Sequence, residues 1–210
     1  MIGSDELISR AEEFAIAEFT RGLTEKHIYH NQQHTRDVVQ AARCIADAIK
    51  LSDDEKEMVT LAAWFHDLGY IQGWKDHEER SAEQAKSFLQ KFNYPQDRIE
   101  KIIGCILATR VPQQPKSLLE KVICDADLLN LGEEGSIEKG EQLRREQEAL
   151  KGIMISDVEW LKHTLDFFVN HRFHTEFVRR RFDEWKQKNI AVLQKKLEAS
   201  LMKETMGKHI

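Results

Sequence analysis

The spacing of apolar residues admits one kind of secondary structure almost throughout. Met58, Leu61, Ala62, Phe65 and Leu68 recur at i, i+3, i+4, i+7 and i+10, the stripe of an amphipathic helix. Val38, Ala41, Ala42, Ile45, Ala46 and Ile49 form a similar stripe in the preceding segment. Only three prolines, Pro95, Pro112 and Pro115, interrupt 210 residues, and β-branched runs are sparse. Strands therefore have little to be built from. The punctuation agrees. Asn31 can cap a helix from about residue 32 to 50, and Ser52 before Asp53, Asp54 and Glu55 reads as a capping box. Gly69 is expected to end that second helix. Pro95 suits the start of a helix over 96–109, and Pro112 to Pro115 marks a loop.

Further helices are expected near residues 3–20, 78–92 and 116–130. Beyond Gly132 the texture changes. EKGEQLRREQEALKG is highly charged, Ser156 opens another helix, and a long one runs from about His174 almost to the end. The last residues, KETMGKHI, are expected to fray. The expectation is one all-α domain over 1–210, with a bundle core at about 25–132 and a C-terminal helical extension at about 133–205.

A chain of 210 residues, 41% hydrophobic and 32% charged, can bury a core without staples. Its net charge of −5 gives no electrostatic reason to expect a nucleic-acid duplex or an anionic membrane as partner. Cys44, Cys105 and Cys124 are widely spaced and form no Cys-x-x-Cys pair, which favours reduced structural thiols. The acidic, amphipathic start MIGSDELISRAEEF reads as neither signal nor transit peptide. No apolar run approaches membrane-spanning length. A cytoplasmic location is the expectation.

Against this background, titratable groups sit where apolar ones belong. In AAWFHDLGY, His66 continues the Met58–Ala62 column and Asp67 the Val59–Ala63 column. Alone, such a pair reads as a core histidine satisfied by a carboxylate. It is not alone. His34 precedes Val38 by one turn on an inward column, and Asp125 and Asp127 interrupt the apolar run of VICDADLLNLG. Converging in a bundle, two imidazoles and two carboxylates would offer nitrogen and oxygen ligands to Mn²⁺, Fe²⁺, Co²⁺, Ni²⁺, Mg²⁺ or Zn²⁺. A cation would also offset the burial of the charges.

The order His34, His66-Asp67, Asp127 resembles the H…HD…D signature of the HD-domain metal-dependent phosphohydrolases. The resemblance covers about residues 25–132. YHNQQHT, AAWFHDLGY, HEERSA (77–82) and DADLLNLG look like a bacterial subgroup described as predicted metal-dependent HD phosphohydrolases. It implies an HD-domain helical bundle and one divalent metal ion held by His34, His66, Asp67 and Asp127. It makes Asp125 either an orienting neighbour of a ligand or a helix-surface carboxylate. Two-metal relatives carry a further histidine where this chain has Thr109 and Arg110, which argues for a single ion.

The implied activity is hydrolysis of a small-molecule phosphate substrate, with nucleotides favoured, through a metal-activated water. Asp67 would help position the water, and His77 or Glu78 could accept its proton; His77 could equally contact substrate or anchor the loop before it. Arg110 could hold a phosphate oxygen or complement a helix dipole. His30 could line the entrance or lie hydrogen-bonded at the surface. Arg80 reads as a solvated charge, and Arg144-Arg145 likewise or as a phosphate contact. Two other functions fit the same residues. One is a metal-retaining signalling or interaction module whose charged extension forms a partner surface or a homodimer face. The other is a di-iron oxygenase, which Thr109-Arg110 disfavours.

Overall fold

The structure, a computed structural model, describes residues 2–207. Among these residues there are nine α-helices, two 3-10 turns and no strand. The helices are α1 (Ser4–Gly22), α2 (Gln32–Ala48), α3 (Asp53–Phe65), α4 (His77–Lys91), α5 (Gln96–Ala108), α6 (Leu118–Asp127), α7 (Ser136–Lys151), α8 (Asp157–Asn170) and α9 (Glu176–Gly207). The 3-10 turns are Leu68–Gln72 and Leu129–Gly132. Among the described residues no helix is long and apolar enough to cross a membrane.

The expected caps are present. Asn31 accepts hydrogen bonds from the backbone N–H groups of Gln33 and His34, and Ser52 and Glu55 form a reciprocal box at the start of α3. Pro95 stands at the cap position of α5. Helix α3 runs through the middle of the bundle, packed by α1, α2, α4, α5 and α6. Every residue from Glu57 to Phe65 is therefore buried, not one stripe only.

Two expected boundaries move, and both movements shape the site. Helix α3 stops at Phe65 rather than Gly69, and the chain tightens into the turn Leu68–Gln72. Gly69 is required there by close packing, because a Cβ would run into the backbone of His77 and lie 2.9 Å from Ser81 N. Helix α6 likewise ends at Asp127 before a second 3-10 turn. The fray expected for KETMGKHI is not seen over 203–207, which is helical; residues 208–210 lie outside the described residues.

The C-terminal helices share the core. Phe168, Phe173, Val178, Ile190 and Leu193 are all buried in it. Asn189 donates to the carbonyls of Leu131 and Glu133, both at 2.9 Å. Gly132 lies so close to Phe182 that a Cβ would meet its backbone oxygen at 2.7 Å.

Candidate metal centre

Three helix ends bring the candidate ligands together. His34 lies in the first turn of α2, His66 caps the C-terminus of α3 with Asp67 next to it, and Asp127 is the last residue of α6. Two helix C-termini thus point their free carbonyl ends toward one place, a field that favours a cation. His34 Nε2 and His66 Nε2 are 3.4 Å apart. Asp67 Oδ2 lies 3.2 Å from each, and Asp127 Oδ1 lies 3.5 Å from His34 and 3.6 Å from His66. Such separations are those of ligands placed at roughly 2.1 Å around one ion. The donor atoms of His34, His66 and Asp127 all fall within 4.8 Å of one another.

Two further observations fit a cation. Asp67 Oδ2 is buried and, despite both imidazoles nearby, is aligned for a hydrogen bond with neither. His66 Nδ1 lies 2.8 Å from the Ala63 carbonyl. That carbonyl can only accept, so Nδ1 carries the proton and Nε2 is left to coordinate.

The electrostatics agree. Burial alone would lower His34, but Asp127 and Asp67 outweigh it and push its pKa up to about 10. His66 is raised against burial by Asp67. Burial would raise Asp67, yet the imidazoles of His66, His30 and His34 hold it well below the usual carboxylate range. The pocket thus holds positive charge strongly, and a divalent ion would displace protons to take its place.

Around the ligands stands a ring of aromatic and charged groups. Tyr70 stacks on His30 with centroids 3.9 Å apart. His77 opens α4; its Nε2 is 3.3 Å from Asp67 Oδ1 and its Nδ1 2.9 Å from the Trp74 carbonyl. Burial would lower His77, but chiefly Asp67 raises it to about 9. Glu78 is buried, 3.5 Å from His77 Nδ1 and 3.4 Å from Arg110. The Arg110 guanidinium is also paired with Glu79 and lies 3.9 Å from Asp76. A cavity of about 620 Å³ opens onto Asp67 and Asp127. His30, His77, Glu78 and Arg110 line it, together with Leu143, Trp160, Phe167 and Phe168.

Several sequence expectations are corrected. Asp125 is neither beside a ligand as its orienting partner nor on the surface. It is fully buried and accepts from the backbone N–H of His174 (2.6 Å) and Thr175 (2.8 Å) and from Thr175 Oγ1 (2.6 Å). It tethers the start of α9. Arg80 is not a solvated charge: its Nε donates to Gly69 O at 3.1 Å and its guanidinium reaches Gly73 O, bracing the loop before α4. Arg144 is largely buried, pairs with Asp157 at 2.8 Å and donates to the Ile155 carbonyl.

Sequence reading passed over Glu146 and the apolar wall from α7 and α8. Glu146 carried a signal, since it stands three residues after Leu143 and four before Leu150, a carboxylate on an apolar column. The charged residues around it masked that signal.

The comparisons fit this geometry. The family model described as HD domain matches residues 31–131. No curated protein matches the chain. Among solved structures, a predicted HD superfamily hydrolase from an uncultured Thermotogales bacterium is similar at 20% identity and TM-score 0.58, covering 91% of each chain. A Lactobacillus plantarum protein is similar at 16% identity and TM-score 0.70, covering 98% of this chain and 100% of its own. Residues 31–131 thus carry the match to the HD-domain family, and the chain as a whole shares its fold with the two solved structures.

Proposed function

We propose that the protein is a metal-dependent hydrolase of phosphate ester or anhydride bonds in small molecules, with nucleotides the favoured class. The observation that carries this reading is the cluster of His34, His66 and Asp127, with Asp67 Oδ2 3.2 Å from both imidazoles, beside a cavity of about 620 Å³ that Asp67 and Asp127 line. His34, His66, Asp67 and Asp127 would hold one divalent ion. Such an ion supplies Lewis acidity, polarising a phosphoryl oxygen and lowering the pKa of water. The remaining groups belong to the chain. Asp67 Oδ1 faces His77 while Oδ2 faces the imidazoles of His34 and His66, so one carboxylate links ligand set and substrate space. His77, held by the Trp74 carbonyl at Nδ1, can donate from Nε2 to a phosphoryl oxygen if it exchanges Asp67 for substrate. Arg110 can serve the same oxygen if it exchanges Glu79 for substrate. The apolar lining from Trp160, Phe167 and Phe168 suits an organic moiety.

The test is metal analysis followed by phosphate release from nucleotides and simple phosphate esters with Mn²⁺, Co²⁺, Ni²⁺ or Mg²⁺. Release that needs metal and disappears with chelator is expected. Asp67→Ala should lose both metal and release. A protein that binds metal well but releases nothing from any ester would favour a binding module instead.

A further inference from the structure

Glu146 lies on α7, outside the matched HD segment, and its side chain has no exposure. Its carboxylate closes on the chain that leads into the metal centre. Oε2 accepts from the backbone N–H of Tyr29 at 2.8 Å and of His30 at 2.9 Å, and Oε1 meets His30 Nδ1. Three donors make a complete setting for a buried charge. The contact also specifies the histidine. An ionised carboxylate only accepts, so Nδ1 carries a proton, and Nε2 of the neutral ring holds the lone pair. The stacked Tyr70, tilted by only 14°, fixes the plane of the ring. His30 lines the cavity onto which Asp67 and Asp127 open. Among the described residues Nε2 has no hydrogen-bond partner.

The other imidazoles at the site are engaged. Those of His34 and His66 face each other within the ligand set. His77 has Trp74 O at one nitrogen and Asp67 at the other. We propose that His30 is the proton acceptor of the reaction and Glu146 its positioning residue, an inference that rests on the hydrolase reading above. As a water oxygen bonds to phosphorus, its O–H bond breaks and the proton passes to His30 Nε2. The bond from phosphorus to the leaving oxygen breaks, its electron pair stays on that oxygen, and the oxygen takes the proton back from His30. Between these transfers Glu146 neutralises the imidazolium. The C-terminal helices thereby supply part of the reaction machinery.

The test compares Glu146→Gln, His30→Ala, the double variant and Glu78→Gln in metal-loaded protein. Removing a proton acceptor costs about 10²-fold or more in rate. His30→Ala should lower kcat by that order with KM and metal content little changed, and added imidazole should restore part of it. Glu146→Gln should lower kcat in the same direction, and the double variant should be no slower than His30→Ala. Full kcat in His30→Ala, or a loss confined to Glu78→Gln, would overturn the assignment. So would metal loss in step with activity in Glu146→Gln. Nitrogen-15 NMR of metal-free protein reads the pairing independently of turnover. The Nδ1–H tautomer of His30 is expected, and a predominant Nε2–H tautomer would refute it. Absence of phosphate release from the unaltered protein would overturn the hydrolase reading and the catalytic role of His30 with it, while the tautomer still decides the pairing.

Discussion

A carboxylate two positions from another can do wholly different work. Asp125 and Asp127 belong to one helix, yet Asp125 faces the backbone just before α9 and Asp127 the imidazoles of His34 and His66. Two residues turn an α-helix by about 200°, so the two cannot serve one centre. Gly69 shows a similar dependence on place. Its φ is not in the left-handed region; it is small because α4 presses on it through His77, Arg80 and Ser81. Gly69→Ala should therefore destabilise the fold by about 2 kcal/mol or more through overpacking, measured by denaturant unfolding. A substitution that left stability unchanged would mean that the turn and α4 can separate freely. The residues that cluster at the candidate metal centre were legible because each interrupted an apolar column. Glu146 was not, because a helix with charge on most faces gives an interrupting carboxylate no contrast.

At the scale of elements, the site is made where helices stop. Capping signals placed the start of α2, and with it His34, correctly from sequence. The ends of α3 and α6 were misjudged because they tighten into 3-10 turns under tertiary packing, which local propensity does not report. The start of α9 depends on a residue far away in sequence. Asp125 receives three hydrogen bonds from His174 and Thr175. Asp125→Ala strips two buried N–H groups of their acceptor, each worth about 1–3 kcal/mol. The expected outcome is a loss on the order of 3 kcal/mol by chemical denaturation, with metal stoichiometry of the folded protein retained. Loss of metal at unchanged stability would return Asp125 to the neighbourhood of the ligands.

Across the whole molecule, the C-terminal helices are joined to the bundle by both apolar packing and buried polar groups, and one of these joints responds to acid. His171 lies between α8 and α9, its two ring nitrogens buried without hydrogen-bond partners. Burial, then the positive charges of Lys186, His174 and Arg172, push its pKa down to about 3. The unfolded chain takes up this proton near pH 6.5, whereas the folded chain resists until about pH 3. The neutral ring therefore carries no penalty above pH 6.5, and stability falls as pH drops through that interval. His171→Phe should show a smaller decrease in Tm between pH 7 and 4.5 than the unaltered protein. An identical decrease in both would place the acid sensitivity elsewhere.

Helix α9 has one more consequence. It is packed against the core as far as Leu197, but from Glu198 to Met206 no residue is buried. At about 1.5 Å per residue, this outer stretch extends for roughly 13 Å. It gives the molecule a long axis. Rotation about that axis meets less viscous drag than end-over-end rotation, so amide relaxation rates should depend on whether an N–H vector lies along α9 or across it.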